Sequence, residues 1–401
     1  MISLDKIREI SRASATKIVL LVIDGLGGLP NPETGKTELE TADTPNLDAL
    51  AAKSICGLAD PVSPGITPGS APGHLALFGY SPTSFNIGRG VLEVLGMDFN
   101  LKSGDIAARG NFCTVDKSGL IIDRRAGRIS TEQNLNLCRL FDGLNISGVK
   151  IIVLPVKEHR LVAIFRGEGL DAELSDSDPQ QVGILPKAIT AKNTIARRTA
   201  DIANQFIARA EEILAENYPV NMVLLRGFSS RPKLPTMREI YKLKAAAIAD
   251  YPMYRGLAKV VGMDVLETET TLEDKFQTLK QNYTGYDFFF IHTKGTDAAG
   301  EDGDFDTKVK VIEEFDKALP SMTALLPDVI VVTGDHSTPA LLKAHSWHPL
   351  PVLIHSKWCR PDRVNEFSES KCISGGLGRL PSTEIMLLAM ANALKLDKFG
   401  A

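Results

Sequence analysis

The chain has 401 residues, 44% of them hydrophobic and 23% charged, an ordinary composition for a soluble globular protein. That length exceeds what one small core needs and suits two domains, or one large domain carrying an insertion. A formal net charge of -4 supplies no global positive field, which excludes nucleic acid and an anionic membrane as partners while leaving room for a small anion held by a local group of arginines.

Cys56, Cys113, Cys138, Cys359 and Cys372 are scattered, odd in number and without a CxxC pair. They read as reduced thiols of a cytoplasmic protein, not as a disulfide frame or a zinc site. The opening MISLDKIREISRASATK has no apolar core of a signal peptide, and no apolar run is long enough to span a bilayer.

In chain order, the first apolar run is IVLLVI (18–23). From about 106 to 219 come short extended pieces, ARGNFCTVD, GLIIDRR, VKIIVLPV and RLVAIFRG, and then a long helical stretch, TIARRTADIANQFIARAEEILAEN. VNMVLLRG (220–227) is expected to return to the core sheet. DFFFI (287–291), the helical KVKVIEEFDKALPSMTALL (308–326) and DVIVVT (328–333) form a strand–helix–strand unit. PVLI (351–354) and an amphipathic helix over TEIMLLAMANALKL (383–396) close the chain. The runs at 18–23, 287–291, 328–333 and 351–354 are continuous, as strands buried on both faces of a parallel sheet require. The alternation predicts an α/β doubly wound core over 1–105 and 220–401, with an inserted α+β domain over 106–219.

Polar residues cluster at the ends of these runs. Asp24 follows the first. His292, Lys294 and Asp297 follow DFFFI. Gly334, Asp335 and His336 follow DVIVVT. His345 and His348 precede PVLI, and His355 follows it. Ligands of open α/β sheets bind at the carboxyl ends of strands, and a mix of carboxylate and imidazole suits Mn, Zn or Co. Taken singly, each of these residues also reads as a turn or cap. Several buried strand ends carrying Asp and His need partners for all of them, which favours a metal.

In PGITPGSAPGHLALFGY (64–80), Gly69 and Gly73 flank Ser70, and Pro72 suits an early helical position. Ser70 then sits near a helix N-terminus, where free N–H groups and the dipole favour phosphate. A plain serine N-cap is the competing reading, and close backbone approach at the glycines favours function. A serine hydroxyl needs activation to act as a nucleophile, and metal assistance fits the Asp/His wealth better than a triad. His74, four residues on, shares the helix face of Ser70 and reads equally as a substrate contact or a packing residue. Basic residues gather in DRRAGR (Arg124, Arg125, Arg128), EHR (His159, Arg160), LLRGFSSR (Arg226, Arg231) and GRG (Arg89). Each is ordinarily a solvated charge, but three arginines within five residues suit an anion.

VIDGLGG (22–28), PGSAPGHLALFGY (68–80), KGTDAAGEDGDFD (294–306), TGDHSTP (333–339) and HSWHPLPVLI (345–354) resemble, in order, the motifs of archaeal-type cofactor-independent phosphoglycerate mutases. RGNFCTVD, DRRAGRI and YPMYRGLAKVVGM add to the likeness, which spans nearly the whole chain. The resemblance implies an alkaline-phosphatase-like α/β core with an inserted substrate-binding lid domain. It also implies interconversion of 2-phosphoglycerate and 3-phosphoglycerate in glycolysis and gluconeogenesis through a phosphoserine, with two divalent ions per chain and no 2,3-bisphosphoglycerate. Mn or Mg stands ahead of Co or Zn. By motif position Ser70 is the nucleophile. Asp24, Ser70, Asp335 and His336 hold one ion; Asp297, Glu301 and His345 hold the other. Glu301 stands where the family has His. Arg124 and Arg128 match a family motif and join His74, His159, Arg160 and Arg226 as expected substrate contacts. The alternatives are a phosphatase or other phosphomutase on the same core, or a non-catalytic metal-binding protein.

Overall fold

The structure, a computed structural model, describes residues 2–85 and 87–400; the side chain of Arg89 lies outside the described residues. The chain divides into two compact units, Met1–Asn86 with Leu234–Ala401, and Ile87–Lys233.

The first unit is built on an eight-stranded sheet. Its order is Asp264–Leu266, Ala245–Ile248, Phe288–Thr293, Ile18–Ile23, Val329–Thr333, Leu350–Ser356, Ile55–Asp60 and Gly378–Pro381. All neighbours pair in parallel except at Leu350–Ser356, which runs antiparallel to both of its partners. Every residue of Ile18–Ile23 is buried, as the unbroken apolar run requires of a strand covered on both faces. Helix Phe305–Thr323 connects two strands that lie on either side of Ile18–Ile23. It buries Ile312, Phe315, Leu319 and Met322 in the same core cluster as Val19, Leu21, Phe289 and Ile330. Each such fully buried side chain contributes about 1.5–3 kcal/mol. The C-terminal helix is shorter than the sequence suggests, Ile385–Asn392 after a 3-10 turn.

One strand departs from the expected parallel arrangement. Because Leu350–Ser356 is reversed, His355 pairs beside Ile330 near the start of the neighbouring strand. His345, which precedes the strand, is brought instead to the carboxyl ends of the parallel strands.

The second unit has its own antiparallel layer of strands. The order Ile121–Asp123, Ile106–Val115, Arg160–Arg166, Val149–Pro155 and Asn145–Ile146 is antiparallel throughout. Met222–Ser230 also pairs antiparallel with Ile106–Val115. The expected return of 220–227 to the core sheet is therefore corrected: this strand belongs to the second sheet. Helix Arg89–Gly96 packs on Ile106–Val115, so the unit boundaries fall at 86/87 and 233/234 rather than at 105/106 and 219/220. Helix Arg197–Leu214 buries Ala200, Ala203, Phe206, Ala210 and Leu214 in this unit's core.

Candidate active site

The register of the first sheet assembles the site. Val22 stands opposite His292 on one side and Thr333 on the other, and Ile23 stands opposite Thr293. Asp24, His292 and the Gly334–Asp335–His336 turn consequently form a row at one sheet edge. Asp24, Asp335 and His336 present ligand atoms within 4.8 Å of one another, as do Asp297, His336 and His345. His336 Nε2 lies 3.2 Å from Asp24 Oδ1 and 3.2 Å from Asp335 Oδ2. The His345 ring stacks on the His336 ring at 3.7 Å, and its Nε2 is 3.5 Å from Asp297 Oδ1.

Ser70 opens helix Ser70–Leu77, capped by Gly69 without a side-chain bond. Its Oγ is 3.2 Å from His336 Nε2. The two flanking glycines differ in purpose. A Cβ on Gly73 would come within 2.2 Å of the Asp335 carbonyl, so glycine there lets the helix meet the Asp335 turn. A Cβ on Gly69 would meet only the Pro72 ring at 3.7 Å, so close approach is not its reason. His74 is fully buried, with Nδ1 2.8 Å from the Ser70 carbonyl and its ring among Phe78, Tyr254, Phe290 and His292. His74, expected as a substrate contact or a packing residue, is enclosed behind Ser70, and its Nδ1 also lies 3.1 Å from Asp335 Oδ2.

Two carboxyls are crowded together at this buried sheet end. Burial raises the Asp24 carboxyl, but His292 and His336 beside it outweigh burial and hold it well below the usual range. Burial and the Asp24 charge push Asp335 well above that range. Two adjacent buried carboxyls cannot both ionise cheaply. Asp24 Oδ1 and Asp335 Oδ2 have no hydrogen-bond partner among the described residues. Unpartnered carboxylate oxygens converging with an imidazole nitrogen fit a divalent cation of the Mn, Co, Zn class. Asp297 is held at about 2, burial being outweighed by the His345 hydrogen bond. His345 rises to about 8, because that bond overcomes burial.

Glu301 lies on helix Gly295–Asp302 one turn after Asp297, on the same face. Asp297 is buried, whereas the Glu301 side chain is 58% exposed, with Oε1 3.8 Å from His345 Nε2. Lys294, given no role from sequence, bonds Asp297 Oδ2 at 2.8 Å and Asp24 Oδ2 at 3.3 Å. Tyr254 donates its hydroxyl to Asp24 and stacks on His292 at 3.6 Å. Both fall in segments singled out in the sequence, but neither is given a role there; the register of neighbouring strands and helices brings them to Asp24.

The basic residues of the second unit form a separate set. Arg109 stands opposite Arg226, and Asn111 opposite Arg160, so all four line one sheet face. Arg109, buried on a strand, was legible only as part of RGNFCTVD. His159 is buried and lowered to about 4, by desolvation first and Arg160 second. Arg128 is exposed. Arg124 is committed to Asp178 in a two-point pair, Nε–Oδ1 3.0 Å and Nη2–Oδ2 2.7 Å, which takes up the fork expected to bind substrate.

That pair yields a stability prediction. Burial raises the Asp178 carboxyl, but the Arg124 hydrogen bonds win and lower it. A depressed pKa contributes stability that is present above the unfolded value and lost as pH falls through the folded one. Arg124→Ala strands a carboxyl with 1% side-chain exposure. It should destabilise by roughly 1–3 kcal/mol at pH 7, with the difference from wild type shrinking below about pH 4. Urea unfolding at pH 7 and pH 3 checks this; equal losses at both would remove the ion pair as the cause.

A largely parallel α/β sheet that gathers carboxylates and imidazoles at its strand ends, beside a serine opening a helix, defines a metal-dependent enzyme. Residues 51–221 match the family described as 2,3-bisphosphoglycerate-independent phosphoglycerate mutase. A relative in Aquifex aeolicus, named "Probable 2,3-bisphosphoglycerate-independent phosphoglycerate mutase", is 50% identical over 99% of this chain and 100% of its own length. A Thermus thermophilus relative of the same name is 48% identical over 98% of each. The solved cofactor-independent phosphoglycerate mutase of Thermoplasma acidophilum superposes with a TM-score of 0.72 at 30% identity, covering 94% of this chain and 100% of that one. A Pyrococcus horikoshii protein gives 0.84 at 30% identity, covering 97% and 100%. The chain belongs to the family of 2,3-bisphosphoglycerate-independent phosphoglycerate mutases. Among the described residues no helix is long and apolar enough to cross a membrane.

Proposed function

We propose that this protein interconverts 2-phosphoglycerate and 3-phosphoglycerate without 2,3-bisphosphoglycerate, through a phosphoserine at Ser70, in the cytoplasm. The observation that carries the reading is the Ser70 hydroxyl, 3.2 Å from His336 Nε2 at the start of a helix, an end whose dipole favours an anion. Two divalent ions, one held by Asp24, Ser70, Asp335 and His336 and the other by Asp297, Glu301 and His345, would supply Lewis-acid charge that acidifies the serine and offsets the phosphate. Ser70 Oγ gives up its proton and attacks the phosphorus, the bond from phosphorus to the glycerate oxygen breaks, and that oxygen takes up one proton, so that the serine's loss and the glycerate's gain balance. The reverse steps return the phosphoryl group to the other glycerate hydroxyl and restore the serine. Lys294 is raised because Asp24 and Asp297 outweigh its burial, so it stays cationic, and its part-exposed ammonium suits phosphate oxygens. The substrate-binding and lid roles of the second unit belong to the same proposal and rest on its arginine face.

The test is conversion of 3-phosphoglycerate by the purified protein without added 2,3-bisphosphoglycerate. Free phosphate as main product would favour a phosphatase. No turnover with metal bound would favour a non-catalytic protein.

The place of Glu301 makes a second test. Carboxylate is harder than imidazole, so glutamate at this position favours Mn or Mg over Zn. Glu301→Ala should lower affinity at one metal site by about 10–100-fold and reduce turnover similarly, with the fold intact because the side chain is exposed. Glu301→His should keep activity and move preference towards softer ions. Titrations with Mn, Mg, Co and Zn decide it; a Glu301→Ala protein with two unchanged sites removes Glu301 from the ligand set.

A further inference from the structure

Thr338 lies two residues beyond His336 and is fully buried. Its Oγ1 is 2.9 Å from Asp297 Oδ1 and 2.9 Å from His336 Nδ1. A threonine hydroxyl has one proton to give and two lone pairs with which to accept. The Asp297 carboxylate offers only acceptors, and Thr338 Oγ1 is the donor in that contact. The Thr338 proton therefore goes to Asp297. Towards His336 the same oxygen can only accept, so the imidazole must bring its own proton on Nδ1.

We propose that the Thr338 hydroxyl selects the tautomer of His336, holding its proton on Nδ1 and keeping Nε2 bare towards Ser70, Asp24 and Asp335. The consequence lies at Nε2, which is 3.2 Å from Ser70 Oγ, from Asp24 Oδ1 and from Asp335 Oδ2. A bare Nε2 accepts the serine proton or ligates a cation. The opposite tautomer would point Nε2–H into the same space and satisfy Asp24 or Asp335 directly. The cluster would then be closed on itself, with no imidazole lone pair left for serine or metal. Thr338 is thus a positioning residue that separates a receptive cluster from a self-satisfied one, the role an outer hydrogen-bond partner plays for a ligating histidine.

The chain fixes Thr338 at both its backbone and its hydroxyl. Lys308 is wholly buried, and its ammonium donates to the Thr338 carbonyl at 2.8 Å and to the Gly27 carbonyl at 3.0 Å. Gly25 has φ +67, and a Cβ there would come within 2.7 Å of Thr338 Oγ1. The turn after the first strand and the turn after His336 are therefore joined around this one hydroxyl.

The catalytic meaning of this tautomer rests on the phosphoryl-transfer reading; the tautomer itself does not, and the two are tested apart. Full-length protein carrying 15N-histidine is stripped of metal with chelator, and the His336 signals are assigned by their loss in His336→Asn. Two-bond 15N–1H correlations at pH 8 distinguish Nδ1–H from Nε2–H. Wild type should show Nδ1–H at His336. Thr338→Val, close in shape but without a hydroxyl, should shift the population to Nε2–H and weaken Zn binding by calorimetry about 10–100-fold. Thr338→Ser should restore both. An Nε2–H tautomer in the wild type overturns the proposal, and that measurement needs no variant to fold. An unchanged tautomer in Thr338→Val overturns it equally. An expected tautomer in a protein that fails to convert phosphoglycerate would sink the functional reading alone.

Discussion

Ser70→Ala should abolish conversion of 3-phosphoglycerate, with a loss on the order of 10⁴-fold or more, while leaving the protein folded. The activity loss follows from chemistry that no neighbour can replace. Ser70 Oγ is the hydroxyl within reach of His336 Nε2 at the helix start, and the nearby Tyr254 hydroxyl is engaged with Asp24 and pushed well above its ordinary range by burial and that charge. The modest structural effect follows from the small change in packing. Ser70 occupies the first helical position with its backbone cap at Gly69, alanine is a good helix former, and one side-chain hydrogen bond is lost, worth about 1 kcal/mol. Turnover, thermal unfolding and metal content should be read on the same preparations. Acid-quenched reactions with labelled phosphoglycerate should leave label on wild type and none on the variant. A folded Ser70→Ala protein of near-wild-type activity rules out the phosphoserine route.

What could be read before the fold was known, and what could not, has a physical pattern. Buried parallel strands leave a continuous apolar run that ends abruptly at a polar residue, so 18–23, 287–291 and 328–333 announce both themselves and the row of Asp24, His292 and Asp335. Direction leaves no such mark. Leu350–Ser356 is as apolar as its neighbours but antiparallel, and only that reversal decides that His345 joins the cluster and His355 does not. Sheet membership is equally silent: Met222–Ser230 carries the pattern of a core strand yet pairs with Ile106–Val115 in the second unit. Tyr254 and Arg109 meet their partners Asp24 and Arg226 far away in the chain, and Lys294 and Thr338, though close in sequence to Asp297 and His336, also bond Asp24 and Asp297 across long separations that no spacing rule reveals. Arg124 is legible as a charge, but its partner Asp178 is 54 residues on, and no local pattern announces that pairing.

Asp335→Asn should separate stability from function. In the metal-free protein Asp335 is a liability: it is wholly buried, its Oδ2 lacks a hydrogen-bond partner among the described residues, and burial together with Asp24 disfavours its charge. Asparagine is nearly the same shape. Its carbonyl can keep the bond from the Gly25 N–H, now 3.2 Å from Asp335 Oδ1, and its amide can donate to the unpartnered Asp24 Oδ1 region without adding negative charge. The chelated variant should therefore be at least as stable as chelated wild type, and more stable by roughly 1 kcal/mol where the like-charge repulsion is fully relieved. Added metal should reverse the ranking. An ion that binds only the folded state at one hundred times its Kd stabilises by about 2.7 kcal/mol, and wild type should show a gain of that order. The variant, lacking one anionic oxygen ligand, should show little, and its turnover should fall on the order of 10³-fold or more. Thermal unfolding of both proteins with chelator and with Mn, read beside activity, checks the two halves together. If Asp335→Asn is stabilised by Mn as much as wild type, the cluster of Asp24, Asp335 and His336 is not where the ion binds; if it is less stable than wild type under chelation, the buried carboxyl is held by something other than the balance of charge described here.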